Sequence, residues 1–276
     1  MIDSSSDSSV PPVIETKRQG WRLHLLLVTG YILGITLIAI VRKSPALTHR
    51  PGSLLVVGLL NCVIFALVLG VAFTFSRASK DDLLLRRRTG FWTVPLGIGY
   101  SIALRVFIAI VLVGTILFVT ALHLATLQQI KDFMSVNRPN LEKLVDIAAL
   151  RSNPLYYWLS LTFVSFVLAG LREELWRSAF IAGLRGLWPR TFGPRCGEIN
   201  AVVLAAVLFG LAHLSQGFVG VGNAALLGLG LGLIMIFHRS IWPAVIAHGV
   251  FDATSMALLP WVWQKLHQVQ LALGLT

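Results

Sequence analysis

The sequence predicts an all-α membrane protein, a polytopic bundle of about seven or eight transmembrane helices. Composition and pattern lead there together. Hydrophobic residues make up 56% of the 276 and charged residues only 13%, where ordinary soluble domains carry about 25% charged residues. Mean hydropathy is +0.78. Apolar runs recur along the chain at the length, roughly 20 residues, that a helix needs to cross the hydrocarbon core.

Residues 1–20 are polar and rich in serine, with Ser4-Ser5-Ser6 and Pro11-Pro12, and are expected to be disordered. They do not resemble a secretory leader, because no small-residue cleavage site follows the first apolar run. Residues 21–276 read as a single transmembrane helical domain. Its spans fall at about 23–41, 54–75, 94–124, 156–187, 199–214, 223–237 and 243–259. Residues 125–152 form a long connection with helical spacing over 141–150. Residues 261–275 fit an interfacial helix or part of an eighth span. No internal repeat is visible.

The net charge of +11 does not point to nucleic acid. The basic residues cluster between apolar runs, where they orient membrane helices and meet anionic lipid. With the N-terminus inside, twelve Lys and Arg fall in inside loops (17–22, 77–88, 185–195 and Arg239), against eight outside. The expected location is therefore an integral protein of a bacterial inner (plasma) membrane with a cytoplasmic N-terminus. Segments 81–88 and 185–196 are its clearest cytoplasmic markers. Cys62 and Cys196 are the only cysteines and make neither a disulfide framework nor a metal-ligand spacing.

Three motifs carry ionisable groups within apolar helices: Arg172-Glu173-Glu174-Leu175-Trp176-Arg177, Phe209-Gly210-Leu211-Ala212-His213, and His248-Gly249-Val250-Phe251-Asp252. Each such group at membrane depth costs about 2.5–3.5 kcal/mol on insertion scales. Convergence on one polar site explains them together. Glu173 and Glu174 point about 100° apart on a helix, and Arg177 is close enough to pair with either. One carboxylate is then free for chemistry while the other holds Arg177. The bland alternative is a solvated charged patch where a helix leaves the membrane, with Arg172 as part of it. Phe209 and His213 share a helix face, as do His248 and Asp252. Asp252 can fix the histidine tautomer or complete an anion-stabilising pair.

Depth supports convergence in part. If 156–187 is one long helix, the Glu pair and His213 both lie roughly 20 Å from the turn through Pro189 and Pro194. His248, only nine residues beyond Arg239, is shallower, so the 185–199 hairpin must protrude or the helices must tilt. Asn61 and Arg105 are intramembrane polar residues without a motif, and Arg105 is expected to snorkel. His24 and His123 belong to no converging set, so alanine there should be nearly silent. The stretch 217–232 is glycine-rich, and Gly228-x-x-x-Gly232 suits close helix packing.

Taken in this order, the motifs resemble the CPBP family of intramembrane proteases, which includes CAAX prenyl endopeptidases and bacteriocin-processing and immunity (Abi) proteins. The family pattern is Glu-Glu-x-x-x-Arg, Phe-x-x-x-His and His-x-x-x-Asn/Asp. The second and third parts match at Phe209/His213 and His248/Asp252, and Ile241-Trp242-Pro243-Ala244-Val245-Ile246-Ala247-His248 resembles the family's third region. The resemblance covers about 156–259, the expected catalytic core, and leaves residues 1–155 only the role of spans. Here Arg177 follows the pair after two residues rather than three. Alignment on the pair puts Ser178 where the family has Arg, and alignment on Arg177 puts Arg172 where it has its first Glu.

The resemblance implies a membrane endopeptidase, a metalloprotease by family name, acting on a membrane-associated or prenylated protein or peptide. Glu173 or Glu174, with His213, would activate a water, and His248 with Asp252 would stabilise the oxyanion. In a metal version, Glu173, His213 and His248 would bind Zn²⁺; in the other no cofactor is used. The rival readings are a non-proteolytic immunity or scaffolding protein of the same family and a proton-coupled transporter. A transporter would be expected to show paired halves and broken helices.

Overall fold

The computed structural model describes residues 12–41, 50–137, 145–194 and 196–272. Helices α1 (Pro12–Val41), α2 (Pro51–Ser76) and α3 (Thr93–Ala121) form the N-terminal half. The short helices α4 (Leu127–Val136), α5 (Ile147–Ser152) and α6 (Pro154–Leu159) connect it to the C-terminal half. There a π-helical stretch (Ser160–Leu171) runs straight into α7 (Arg172–Leu187). α8 (Pro189–Phe192), α9 (Cys196–Ala212), α10 (Phe218–His238) and α11 (Trp242–Ala272) follow. Among the described residues there is no strand.

Six of these helical stretches are long and apolar enough to span a membrane, and the shorter apolar helix Gly197–Ala212 packs among them. They coincide with the seven expected spans. Large apolar side chains on the outer faces of α1, α2 and α3 are exposed, as lipid-facing surfaces are. The chain is an integral membrane helical bundle.

Three boundaries differ from expectation. α1 begins at Pro12, so the polar stretch read as disordered over 1–20 is helical from there; residues 1–11 lie outside the described residues. Of the helical spacing at 141–150, only the part from Ile147 is seen as helix, because 138–144 also lie outside them. Residues 261–272 form neither a separate interfacial helix nor an eighth span. α11 continues through Pro260 to Ala272.

The fourth span is one long helix, as expected, but it is not uniform. Its middle is wound as a π-helix, where the Ser165 hydroxyl donates to the Ser160 carbonyl at 2.9 Å. This stretch approaches α11 backbone to backbone. A Cβ on Gly170 would stand 2.9 Å from the Val245 carbonyl oxygen, and one on Gly249 would stand 2.3 Å from the Phe166 ring. The glycines Gly228 and Gly232 do the same between α10 and α9, where added Cβ atoms would meet Phe209 at 3.0 Å and Val202 at 2.6 Å.

One end of the bundle gathers the loops expected to be cytoplasmic. In the α2–α3 loop, Leu83 and Leu84 are buried. Its carbonyls accept from the Ser178 hydroxyl (at Leu83), the Ile241 amide (at Leu84, 2.9 Å) and the Trp242 indole (at Leu85, 2.9 Å). Buried Glu198 at the start of α9 accepts from Arg239 and forms an ion pair with Arg185 at 3.4 Å. This resolves the apparent depth mismatch. Arg185 and Arg239 meet at one level on Glu198, and from there Glu174 lies eleven residues back along α7 and His248 nine residues forward. The turn through Ser240 and Ile241 is itself buried, while no residue of Pro189–Phe192 is.

His24 ties three helices together. Its Nε2–H donates to the Ala179 carbonyl on α7 at 2.9 Å, and its Nδ1 accepts from the Ser76 hydroxyl on α2 at 3.0 Å. The ring is wholly buried and stacks on Phe73. His123, by contrast, is exposed in the turn after α3, at φ 54°. His24→Ala is therefore not silent for the fold. It should destabilise the purified protein by about 1–3 kcal/mol, since it removes the side-chain hydrogen bonds that tie α1 to α2 and α7 and empties a buried site. A drop in the thermal unfolding midpoint in detergent, with turnover per folded molecule unchanged, is the expected outcome, and His123→Ala should shift neither.

Candidate active site

α7 opens on Arg172 while still at membrane depth, so its first turn delivers three charges into the bundle. Glu174 points inward and is wholly buried. One of its oxygens pairs with Arg177, three residues on, and the other accepts from the His248 Nδ1–H at 2.9 Å. Arg177 is also wholly buried, with its guanidinium 4.5 Å above the Phe209 ring. A buried charge is tolerated when it is paired. Here Glu174 supplies the countercharge and the ring's π face covers the guanidinium, although the Arg177 Nε and Nη2 groups have no hydrogen-bond partner among the described residues. The missing Cβ of Gly228 gives both groups room: one built there would be 3.0 Å from the Phe209 ring and 3.5 Å from an Arg177 nitrogen.

Glu173 turns the other way, toward a cavity. Arg172 Nη2 donates to its Oε1 at 2.9 Å, and its Oε2 lies 3.9 Å from His248 Nε2. Asp252 Oδ2 is 3.7 Å from the same nitrogen. His213 sits just past the end of α9, where Nδ1–H donates to the Phe209 carbonyl at 2.7 Å and leaves Nε2 as the basic nitrogen. The Phe209 ring lies 4.6 Å from the His213 ring and 6.2 Å from that of His248, centre to centre.

The cavity measures about 520 Å³ and is lined by Glu173, His213, His248 and Asp252 at its polar part. Apolar walls come from Val57 on α2, Ile108 on α3, Val164 and Leu168 on the π stretch, and Met256 on α11. The carboxylate pair, both histidines and the aspartate thus meet at one place, while Arg177 supports them from behind. The two glutamates are divided between pairing and cavity, with Glu174 taking Arg177. The histidine tautomer is fixed from Glu174, not from Asp252, which faces the other ring nitrogen. Arg172 is no solvated flank; its side chain is 19% exposed and bound to Glu173.

Among the described residues, no three His, Cys, Asp or Glu side chains stand close enough together to hold a metal ion. Two atoms bound to one zinc, each about 2 Å from it, stand roughly 3–4 Å apart. Glu173 Oε2 and His248 Nε2 are 3.9 Å apart, but with His213 they do not gather as a three-ligand group in this arrangement.

Sequence reasoning left residues 1–155 only the role of spans, but three of their polar side chains reach the site. Asn61 Oδ1 accepts from Arg172 Nη1 at 2.7 Å and from the Tyr31 hydroxyl at 3.0 Å. Arg105 does not snorkel. Its guanidinium stacks 4.1 Å from the Phe251 ring centre and donates to the Phe251 carbonyl at 2.6 Å, which fastens α3 to α11 beside Asp252. The only signal for these residues was polarity inside an apolar run.

Residues 154–254 match the family model described as Rce1-like, type II CAAX prenyl endopeptidase. Neither the curated proteins nor the solved structures give a match. The matched segment runs from the start of α6 to two residues past Asp252, so it holds every ionisable group of the three motifs. Over residues 154–254, and so over the whole of the three motifs, the chain is similar to the Rce1-like type II CAAX prenyl endopeptidases.

Proposed function

We propose that the protein hydrolyses a peptide bond of a membrane-associated or prenylated protein, using a water activated by Glu173 and His213. The reading rests on one observation above all: Glu173, His213, His248 and Asp252 line a single cavity whose other walls are mostly apolar. A peptide and a neighbouring lipid-like chain fit such a mixed surface. Residues 156–259 act as the catalytic core within one transmembrane domain.

In this mechanism a water held between the Glu173 carboxylate and His213 Nε2 loses a proton to Glu173 as its oxygen attacks the scissile carbonyl carbon. The carbonyl oxygen becomes an oxyanion, which His248 stabilises by donating from Nε2. For that role the imidazole must carry both protons. Glu174 holds Nδ1–H, and the Asp252 carboxylate beside Nε2 balances the ring's charge. Collapse of the intermediate breaks the C–N bond while Glu173 returns the proton to the leaving amine. No step runs through a metal. We further propose that the end bearing the α2–α3 loop and the α7–α9 hairpin faces the cytoplasm of a bacterial inner membrane, because these segments are rich in arginine.

Glu173→Gln and His213→Ala should each slow cleavage of a farnesylated CAAX-type peptide by roughly 10²–10⁴-fold, without loss of folded protein. Glu174→Gln should instead also destabilise the fold by about 3–5 kcal/mol, because it leaves the Arg177 charge buried and unpaired. His248→Ala should abolish cleavage. Biological function persisting in all of these variants would leave a non-proteolytic scaffold as the better reading, and cleavage persisting in all of them would overturn the assigned residues. Activity should resist a chelator, and a loss restored by Zn²⁺ would bring the metal version back.

Sidedness has its own test. A membrane-impermeant thiol reagent added outside intact cells should leave Ser79→Cys and Thr191→Cys unlabelled, whereas efficient labelling of either reverses the topology.

A further inference from the structure

The described residues outside the matched segment contain one polar chain that ends on the site. Tyr31 on α1 donates to Asn61 on α2 at 3.0 Å, Arg172 donates to the same Asn61 oxygen at 2.7 Å, and Arg172 donates through its other terminal nitrogen to Glu173 at 2.9 Å. We propose that Asn61, seconded by Tyr31, is a positioning residue for Glu173 and acts through Arg172. This rests on the reading of Glu173 as the base.

The geometry explains why such a device is needed. Glu173 stands on the first turn of α7, with a flexible side chain facing a cavity rather than a packed wall. Glu174 beside it is locked by Arg177 and His248, but Glu173 has no partner of that kind on its own helix except Arg172. An arginine in turn has many rotamers, and its planar fork aims a carboxylate only if the fork itself is fixed. Asn61 fixes it. A side-chain amide oxygen has two lone pairs, and here both are taken, one by Tyr31 and one by Arg172. With Nη1 held by Asn61, Nη2 reaches Glu173 Oε1, and Oε2 is left to face His248 Nε2 at 3.9 Å. Arg172 is thereby occupied at both ends, so it is not a free anion site.

The alternative is that this chain merely ties α1 and α2 to α7, as His24 does nearer the other loops. The two are told apart by coupling. With a farnesylated CAAX-type peptide as probe, Asn61→Leu should lower kcat about 10–100-fold with KM within about twofold, since a misaimed base costs turnover and not binding. Arg172→Gln should do the same, and the double variant should be no slower than Arg172→Gln alone, because the first residue acts only through the second. Tyr31→Phe should give a smaller loss in the same direction. Losses that multiply in the double variant, or a change confined to KM, would overturn the proposal.

If the unmodified protein cleaves no such peptide, the proposed function fails on its own. The relay is then read from thermal unfolding in detergent, where Asn61→Leu should shift the midpoint less in the Arg172→Gln background than in the unmodified protein. Equal shifts in the two backgrounds would sink it.

Discussion

A guanidinium and a carboxylate with no access to solvent, Arg177 and Glu174, set the terms for everything around them. Neither charge survives alone at that depth, so each must be where the other is. Their pairing fixes the first turn of α7. The remaining face of Arg177 needs an aromatic ring, which places Phe209 and therefore α9. The remaining oxygen of Glu174 needs a donor, which places His248 and therefore α11. Three helices are thus brought to one point by the requirement that no buried charge be left over. His213 and Asp252 arrive with them, four residues further along the chain than Phe209 and His248, His213 just past the end of α9 and Asp252 on α11.

The ionisable side chains of the candidate site and their supports come from different parts of the chain. The ionisable groups on the cavity stand within the segment matched by the family. Helices α1, α2 and α3 contribute Tyr31, Asn61 and Arg105, which touch those groups or their neighbours from outside. The apolar walls are similarly shared, with Val57 and Ile108 from the N-terminal half facing Leu168 and Met256 from the other. A cavity of this kind is polar where three helices converge and apolar where lipid-facing helices close it.

The seven apolar runs, the long fourth helix and the meeting of the three motifs were legible in the sequence, because apolar length and the spacing of i and i+4 residues are local properties. The division between the two glutamates was legible only as a pair of options; choosing Glu174 for Arg177 needed the direction in which α7 faces its neighbours. Asn61 and Arg105 stood out as polar residues at membrane depth, but their partners lie on other helices, and no spacing rule reaches across 111 or 146 residues. The level at which α7 and α11 meet stayed open between a protruding hairpin and tilted helices, because hairpin ends alone do not fix it. The true marker is Glu198, an acidic residue at the start of a helix with nothing in its sequence surroundings to single it out. The π winding of Ser160–Leu171 was equally hidden, since its residues are as apolar as those of any span.

The contact between the π stretch and α11 has a consequence for how this sequence can drift. At Gly170 the obstacle to any side chain is main chain, above all the carbonyl of Val245, which cannot move without shifting the helix that carries His248. At Gly249 the obstacle is the Phe166 ring, a side chain that a compensating exchange can replace with something smaller. The first position is closed to mutation by itself, while the second is closed only so long as its aromatic neighbour stays. Drift across this interface therefore has one permissible order, with Phe166 yielding before Gly249 and Gly170 not at all.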